Sequence, residues 1–521
     1  VVIGSGPAGA AVANRLAGDG RSVVLVEAGP GGPRPRSLVG LDLVAASAEA
    51  SRHWDGLAAR PRPGGPGRDY RQGRGLGGGS MINGMLLTPG DSVDYRRWEA
   101  DLGCSGWGPE AMTSFLGRAV AAYPAVEPRP GPVSRALARA AEADGLAVGG
   151  TSLDRDRLGV LAARLAAVGG RRWSAADAHL DGDGPPDPVG RPGVRAIAGR
   201  PLIVVTGVAV DRIVVGGAGA DPRVALISGE VIGCSEVVVC AGALATPALL
   251  LRSGLAARPV GGGLRDHPSY AFTLVLRDRP PRVRADPADE RVVSTVVRWS
   301  SDSGGADEVG DLQAVAIDRV DAPGGGPPLA VVAVGLMAVS SSGSVTVDPA
   351  GPDVGGGPGG RPGPLAASVV TGALATDSDR RRFREGVRRV ARWLRSPAMA
   401  EVVAEVHLDD RGTPLTRIDG LGEADLDALL ASRPGPYAHP AATCPMGPET
   451  DPGSVTACDP GRLGQLLGHP GIRVADASVF PHLVRGGLQI PVTAVALRIA
   501  DDIAGGSGSP AVAIGEPGAG S

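Results

Sequence analysis

The chain lacks a cysteine framework. Its five cysteines (Cys104, Cys234, Cys240, Cys444, Cys458) are scattered, odd in number and free of any C-x-x-C, so neither a zinc knuckle nor a dithiol motif is indicated and no metal site is assigned. A reducing cytoplasm is the simpler setting for such thiols. Excess positive charge is also lacking. Lys and Arg number 52 against 55 Asp and Glu, which removes the basic footprint of a nucleic-acid binder. No uninterrupted apolar run is long enough to cross a bilayer. The chain opens on Val1 with no methionine or lead-in, so it carries no information on a targeting segment. Histidine is scarce, with seven in 521 residues.

What is abundant is glycine and proline, 82 and 47 residues, about a quarter of the chain and close to a disordered composition. They are unevenly spread. Segments 60–67, 355–364 and 505–521 read as flexible loops or tail. Between them lie hydrophobic strands and Ala/Leu/Arg-rich helices, and a chain of this length is enough for two domains.

The first residues, V-V-I-G-S-G-P-A-G, carry the most information. Val1 to Ile3 reads as a short buried strand, Gly4, Gly6 and Gly9 follow in G-x-G-x-x-G spacing, and A-A-V-A-N-R-L-A continues as a helix. A second strand, 22–26, ends in Glu27. Glycines at a strand–helix turn let the backbone approach a pyrophosphate, the helix N-terminus faces its charge, and an acid closing the second strand accepts hydrogen bonds from a ribose diol. A second glycine-rich stretch, G-R-G-L-G-G-G-S-M-I-N-G at 73–84, has successive amides suited to an anion nest, with Arg74, Ser80 and Asn83 as polar groups.

Further along, 109–123 and 134–143 read as helices, the latter capped by Ser134. Segment 171–180 is polar enough to border a ligand. Strands are expected at 201–205, 211–215, 223–227 and 236–240, the last turning at Gly242 into a helix from Thr246 and Pro247. From Pro268 the pattern changes: 269–277, 292–299, 312–317, 329–339 and 343–347 suggest a mostly antiparallel sheet, followed by an amphipathic helix at 379–394 with arginines on its wet face. The chain then returns, with a strand at 472–476 and a closing helix at 490–503. The expected organisation is a first nucleotide-binding part at 1–267, a substrate domain at 268–408, a return segment at 409–508 and a tail at 509–521.

Four segments, in order, resemble the glucose-methanol-choline (GMC) flavoprotein oxidoreductases: V-V-I-G-S-G-P-A-G, G-R-G-L-G-G-G-S-M-I-N-G, G-A-L-A-T-P-A-L-L-L-R-S-G, and the pair H-P-A-A-T-C-P-M-G and R-V-A-D-A-S-V-F-P. The resemblance spans nearly the whole chain. It implies an α/β Rossmann-like FAD-binding domain interleaved with an α+β substrate domain built on a mostly antiparallel sheet, and oxidation of a small-molecule alcohol. By position, it implies that Gly4, Gly6, Gly9 and Glu27 hold the ADP half of FAD and that Arg74, Gly77, Gly78 and Asn83 line the pyrophosphate and flavin. Val208 then touches the adenine side, Ala241 and Gly242 close the pocket, and Asp476 and Ala477 approach the ribityl chain. D-H-P at 266–268 matches the link into the substrate domain. Where some members carry a histidine bonded covalently to FAD, this chain has Ile82, so non-covalent FAD is expected.

Taking a proton from an alcohol suits an imidazole, whose pKa lies near working pH. His439, in Y-A-H-P-A-A-T-C-P-M-G, stands at the family's catalytic position. The family pairs it with a second His or Asn, eleven residues past the Asp of D-A-S; here that position is Gly487. Gln489 and His482 are the expected substitutes, ahead of Arg485. Ala442 replaces a more usual glycine and is accommodated if its φ is negative. Cys444 is expected to pack and not to react. A dehydrogenase is preferred to an oxidase. The alternatives are a flavin-containing lyase of the same fold and a catalytically impaired flavin-binding protein.

Overall fold

The hydrophobic runs that open the chain form the middle of a six-stranded sheet. The computed structural model describes residues 1–181, 194–197, 199–216, 220–277, 291–321, 326–347, 365, 367–432, 435 and 437–505. Segment 355–364 and the tail expected at 509–521 lie outside the described residues. In this sheet Val2–Ile3 pairs in parallel with Val23–Glu27 on one side and Val237–Val239 on the other. Leu202–Thr206 and Ile472–Val474 extend it in parallel at either flank, and Val194–Ala196 closes one edge antiparallel. The central strands Val2–Ile3 and Val237–Val239 are all Val/Ile because both faces are covered. The strand order reverses at Val2–Ile3, which opens a crevice at the carboxyl ends of the strands.

The helix Pro7–Gly18 leaves that crevice with Pro7 in its first turn. Its buried face is mostly alanine (Ala8, Ala10, Ala11, Ala13), which lets the closing helix Gln489–Ala504 pack against it. That closing helix stops at Gly505, whose φ of +77° makes the left-handed cap.

The second large sheet has seven strands, in the order Val403–His407, Ser269–Leu276, Leu329–Leu336, Leu312–Val320, Val293–Trp299, Gly159–Ala162 and Val148–Thr151. Every pairing is antiparallel except the last. It draws its two outer strands from before residue 268, so the sheet is wider than the expected 268–408 span. Segment 343–347 is not part of it. Gly343–Thr346 belongs to a separate five-stranded sheet, beside Gly262–Leu264 and Ser368–Val370. The helix at 132–143 begins earlier than Ser134. Gly131 precedes it, and Asp318 from the neighbouring strand accepts from the amides of Val133 and Ser134 at 2.6 and 2.9 Å.

The arginines of the helix Asp377–Trp393 are not simply a wet face. Arg382 is 1% exposed and pairs with Asp311 at 3.0 Å and Asp379 at 2.6 Å, both fully buried. Arg384 is also buried, on Asp427 and Glu423 of the next helix. The helix is covered on two sides, by the sheet and by Glu423–Ser432, so its cations meet carboxylates instead of water. Replacing Arg382 with Met should lower the unfolding free energy by about 3–5 kcal/mol, because two buried carboxylates lose their partner. Urea denaturation measures this, and a loss under about 1 kcal/mol would contradict the analysis.

Candidate active site

The two glycine segments meet backbone to backbone. A Cβ on Gly78 would stand 2.7 Å from the Cα of Gly6, and one on Gly4, whose φ is +96°, would stand 2.4 Å from the carbonyl oxygen of Cys240. Only glycine permits this approach, and it places both loops at the crevice. Gly77 N donates to Ser5 O at 3.2 Å across the junction. Ala241 lies against Gly4, and Val208 N donates to Glu27 O at 3.3 Å.

Glu27 reaches the expected strand end but is already engaged. Its carboxylate accepts from Ser5 N at 3.0 Å, Ser5 Oγ at 2.7 Å, Gly29 N at 2.8 Å and Gly75 N at 3.1 Å. An ionised carboxylate has about four lone-pair sites. All are used within the protein, so Glu27 ties the two glycine loops together and presents no free acceptor to a ribose. Burial pushes its pKa up against those hydrogen bonds. Arg74 lies over the Trp54 ring, 5.5 Å from its centroid, and donates to Ala28 O. Asp476 accepts from Gly242 N, Thr246 Oγ1 and Ser478 N, which pins Gly242 and the turn at Ala477.

Asn83 is the polar hub beside the second glycine segment. Its Nδ2 donates to Gln489 Oε1 at 2.7 Å, and its Oδ1 accepts from Met85 N and from the buried guanidinium of Arg172. The Tyr123 hydroxyl also bears on the Gln489 side chain.

The imidazole of His439 faces a second imidazole, that of His267. Their Nδ1 atoms are 3.0 Å apart and the rings are nearly perpendicular, at 87°. Main-chain register produces this meeting. Arg265 and Ala441 exchange antiparallel hydrogen bonds, each 3.0 Å. Two residues on along one segment and two back along the other, His267 and His439 stand opposite each other. Asp266 holds both: its Oδ1 accepts from His267 N at 2.8 Å and His439 N at 2.7 Å, while Tyr70 OH donates to Oδ2 at 2.5 Å. Tyr437 stacks on His439 at 5.4 Å and 8°, and its hydroxyl accepts from Gln313 Nε2. Burial lowers the His439 pKa to about 4, lowers that of His267 well below its usual value and raises that of Asp266 to about 6.

The expected substitutes for the missing partner are elsewhere. Gln489 bonds Asn83, His482 Nδ1 lies 3.1 Å from Leu483 O, and Arg485 is ion-paired with Asp94. Position 487 is not open space either: Gly487 N donates to Thr88 Oγ1 at 2.7 Å, and a Cβ there would sit 3.3 Å from that oxygen. His267, read from sequence as part of a link, is the group bonded to His439. The one signal that could have found it is D-H-P itself, an acid beside a scarce histidine. Ala442 adopts a φ of +67°, not the negative value expected; its amide donates to Ala477 O, which holds the turn beneath His439. Cys444 is fully buried and burial pushes its thiol pKa up, in keeping with packing.

Two family models for GMC oxidoreductases match this chain, the N-terminal one over residues 66–269 and the C-terminal one over 340–496. The chain belongs to the GMC oxidoreductase family. Among curated relatives, proteins named oxygen-dependent choline dehydrogenase from Rhizobium etli and Xanthomonas campestris are each 28% identical, covering 97% of this chain and 95% of theirs. Among solved structures, pyridoxine 4-oxidase from Mesorbium loti superposes with a TM-score of 0.76 at 24% identity, covering 96% of this chain and 97% of its own. An Aspergillus oryzae formate oxidase gives 0.77 at 19%, with the same coverage.

FAD is the cofactor of this family, and the site fits it. The Gly6–Gly78 contact makes a cradle that any side chain would fill, at the switch point of the parallel sheet. Gly78→Ala should cut the flavin-to-protein ratio of purified enzyme to below about half, because the new Cβ drives the loops apart. Absorbance at the flavin and protein bands checks this, and full occupancy would contradict the cradle.

Proposed function

We propose that this enzyme oxidises an alcohol to a carbonyl, with His439 taking the hydroxyl proton. One observation carries the reading: His439 is held by its main-chain amide, its Nδ1 and its ring face, while its Nε2 has no hydrogen-bond partner among the described residues and the residue is only half-buried. A low pKa keeps that ring neutral at neutral pH, and a neutral imidazole is a competent base. Gly4, Gly6, Gly9, Gly77, Gly78 and Asn83 hold the cofactor, and bound FAD supplies the acceptor for the hydride of the carbinol carbon. The His267 imidazole gives His439 a hydrogen-bonding partner although position 487 is a glycine, which favours an active enzyme over an impaired flavin binder. We keep a dehydrogenase as the preferred reading and make the electron acceptor an outcome of the test below.

Anaerobic mixing with a panel of primary and secondary alcohols should bleach the flavin with at least one of them; persistent oxidised flavin across the panel would sink the reading. Reoxidation by a dye but not by oxygen would mark a dehydrogenase. His439→Ala should slow the bleaching about 100- to 10,000-fold, and a change under about threefold would remove it from the chemistry. The pH profile has a definite sign. The base form of His439 persists down to its lowered pKa of about 4, so the acid limb of flavin reduction should lie below the ordinary 6.5. A limb at or above 6.5 would contradict a buried base. At position 82, Ile packs with Leu38, Ala46 and Met81 and offers no nucleophile. Acid precipitation should therefore release all the yellow colour to the supernatant; a yellow pellet would overturn non-covalent binding.

A further inference from the structure

We propose that His267 is a positioning residue that sets the tautomer of His439: its Nδ1 accepts the Nδ1 proton of His439 and leaves the His439 Nε2 lone pair free for the alcohol proton. This rests on His439 being the base.

Two neutral imidazoles whose Nδ1 atoms lie 3.0 Å apart must be one donor and one acceptor. The direction matters. If His267 donated, His439 would carry its own proton on Nε2 and present a donor, not a lone pair, to the substrate. The role of His439 as base decides between the two, since its Nε2 must then be bare, and the surroundings of His267 agree. It is 3% exposed, its Nε2 is buried with no hydrogen-bond partner among the described residues, and the main-chain carbonyls of Met337 and Val484 bear on its ring. Carbonyls only accept. They favour a ring proton on the nitrogen that His439 does not use. With Nε2 protonated and the ring neutral, Nδ1 of His267 is the acceptor, and His439 is the Nδ1–H tautomer.

The backbone prevents the pair from rearranging. Asp266 fixes both main-chain amides, the Arg265–Ala441 bridge fixes the register, and Tyr437 fixes the plane of the His439 ring. When the hydroxyl proton moves to Nε2, His439 becomes an imidazolium that keeps its Nδ1–H bond to His267, now charge-assisted and stronger. His267 itself gains and loses no proton.

The test uses the FAD-loaded enzyme in three forms: wild type, His267→Ala and His267→Asn. The Asn side-chain oxygen lies near where Nδ1 lay and can accept the same proton; Ala cannot. Anaerobic flavin reduction should slow about 100- to 1,000-fold in the Ala variant, the substrate dissociation constant moving less than about threefold, and Asn should recover the rate to within about tenfold of wild type. Nitrogen-15 spectra of histidine-labelled wild type, with His439 assigned through His439→Gln, should show His439 protonated on Nδ1 and bare on Nε2 at neutral pH. A wild-type spectrum with the proton on Nε2, or an Ala variant within about threefold of wild type, would overturn the proposal. If the Ala variant fails to retain FAD, the wild-type spectrum decides alone. If no alcohol reduces the wild-type flavin, the alcohol reading falls, while the spectrum still settles the tautomer.

Discussion

One buried carboxylate organises the candidate reaction centre. Asp266 accepts hydrogen bonds from groups at residues 70, 267 and 439, and so draws three remote parts of the chain to one point. None of these bonds is to an imidazole ring. The carboxylate grips the main chain on either side of the pair and leaves both rings free to bond each other. Burying a carboxylate is costly unless its lone pairs are filled, and here three donors fill three of about four. Burial still wins the balance and raises the pKa of Asp266, which shows how dry the centre is before any cofactor is counted.

The nucleotide end follows a parallel plan with a different carboxylate. Glu27 collects four donors from Ser5, Gly29 and Gly75, and fastens the first glycine turn to the second. With no side chains between Gly6 and Gly78, the loops can be drawn that close. Each acid therefore draws main chain from separate segments to one point.

The sequence made the nucleotide fold legible because its signals are local. A strand, a glycine turn and an alanine-rich helix lie within the first 18 residues, and the structure has each of them. The seven-stranded sheet was legible in its middle strands, where Tyr270, Phe272 and Leu274 alternate inward, and not at its far edge, supplied by 148–162. The partner of His439 was not legible. Counting eleven residues from Asp476 points at Gly487, and the contact that counts instead joins positions 172 apart through a two-residue bridge. The arginines of 377–393 were misread for a related reason: periodicity identifies a polar face but not the aspartates that another strand or helix brings to it.

The electrostatics of the pair explain why two imidazoles serve where one seems enough. Two cations at such a separation would repel by roughly 4 kcal/mol even in a well-screened protein interior, so the pair holds at most one extra proton. That proton belongs on the ring whose outer nitrogen is open, His439, since the outer nitrogen of His267 is buried and the Arg485 cation disfavours a charge on that ring. The ionised Asp266, two amides away, offsets the charge without touching it. A carboxylate bonded directly to His439 would bind the imidazolium more tightly and raise the pKa of the ring, making the resting base cationic. A neutral imidazole as acceptor fixes the geometry and leaves the base uncharged until substrate arrives.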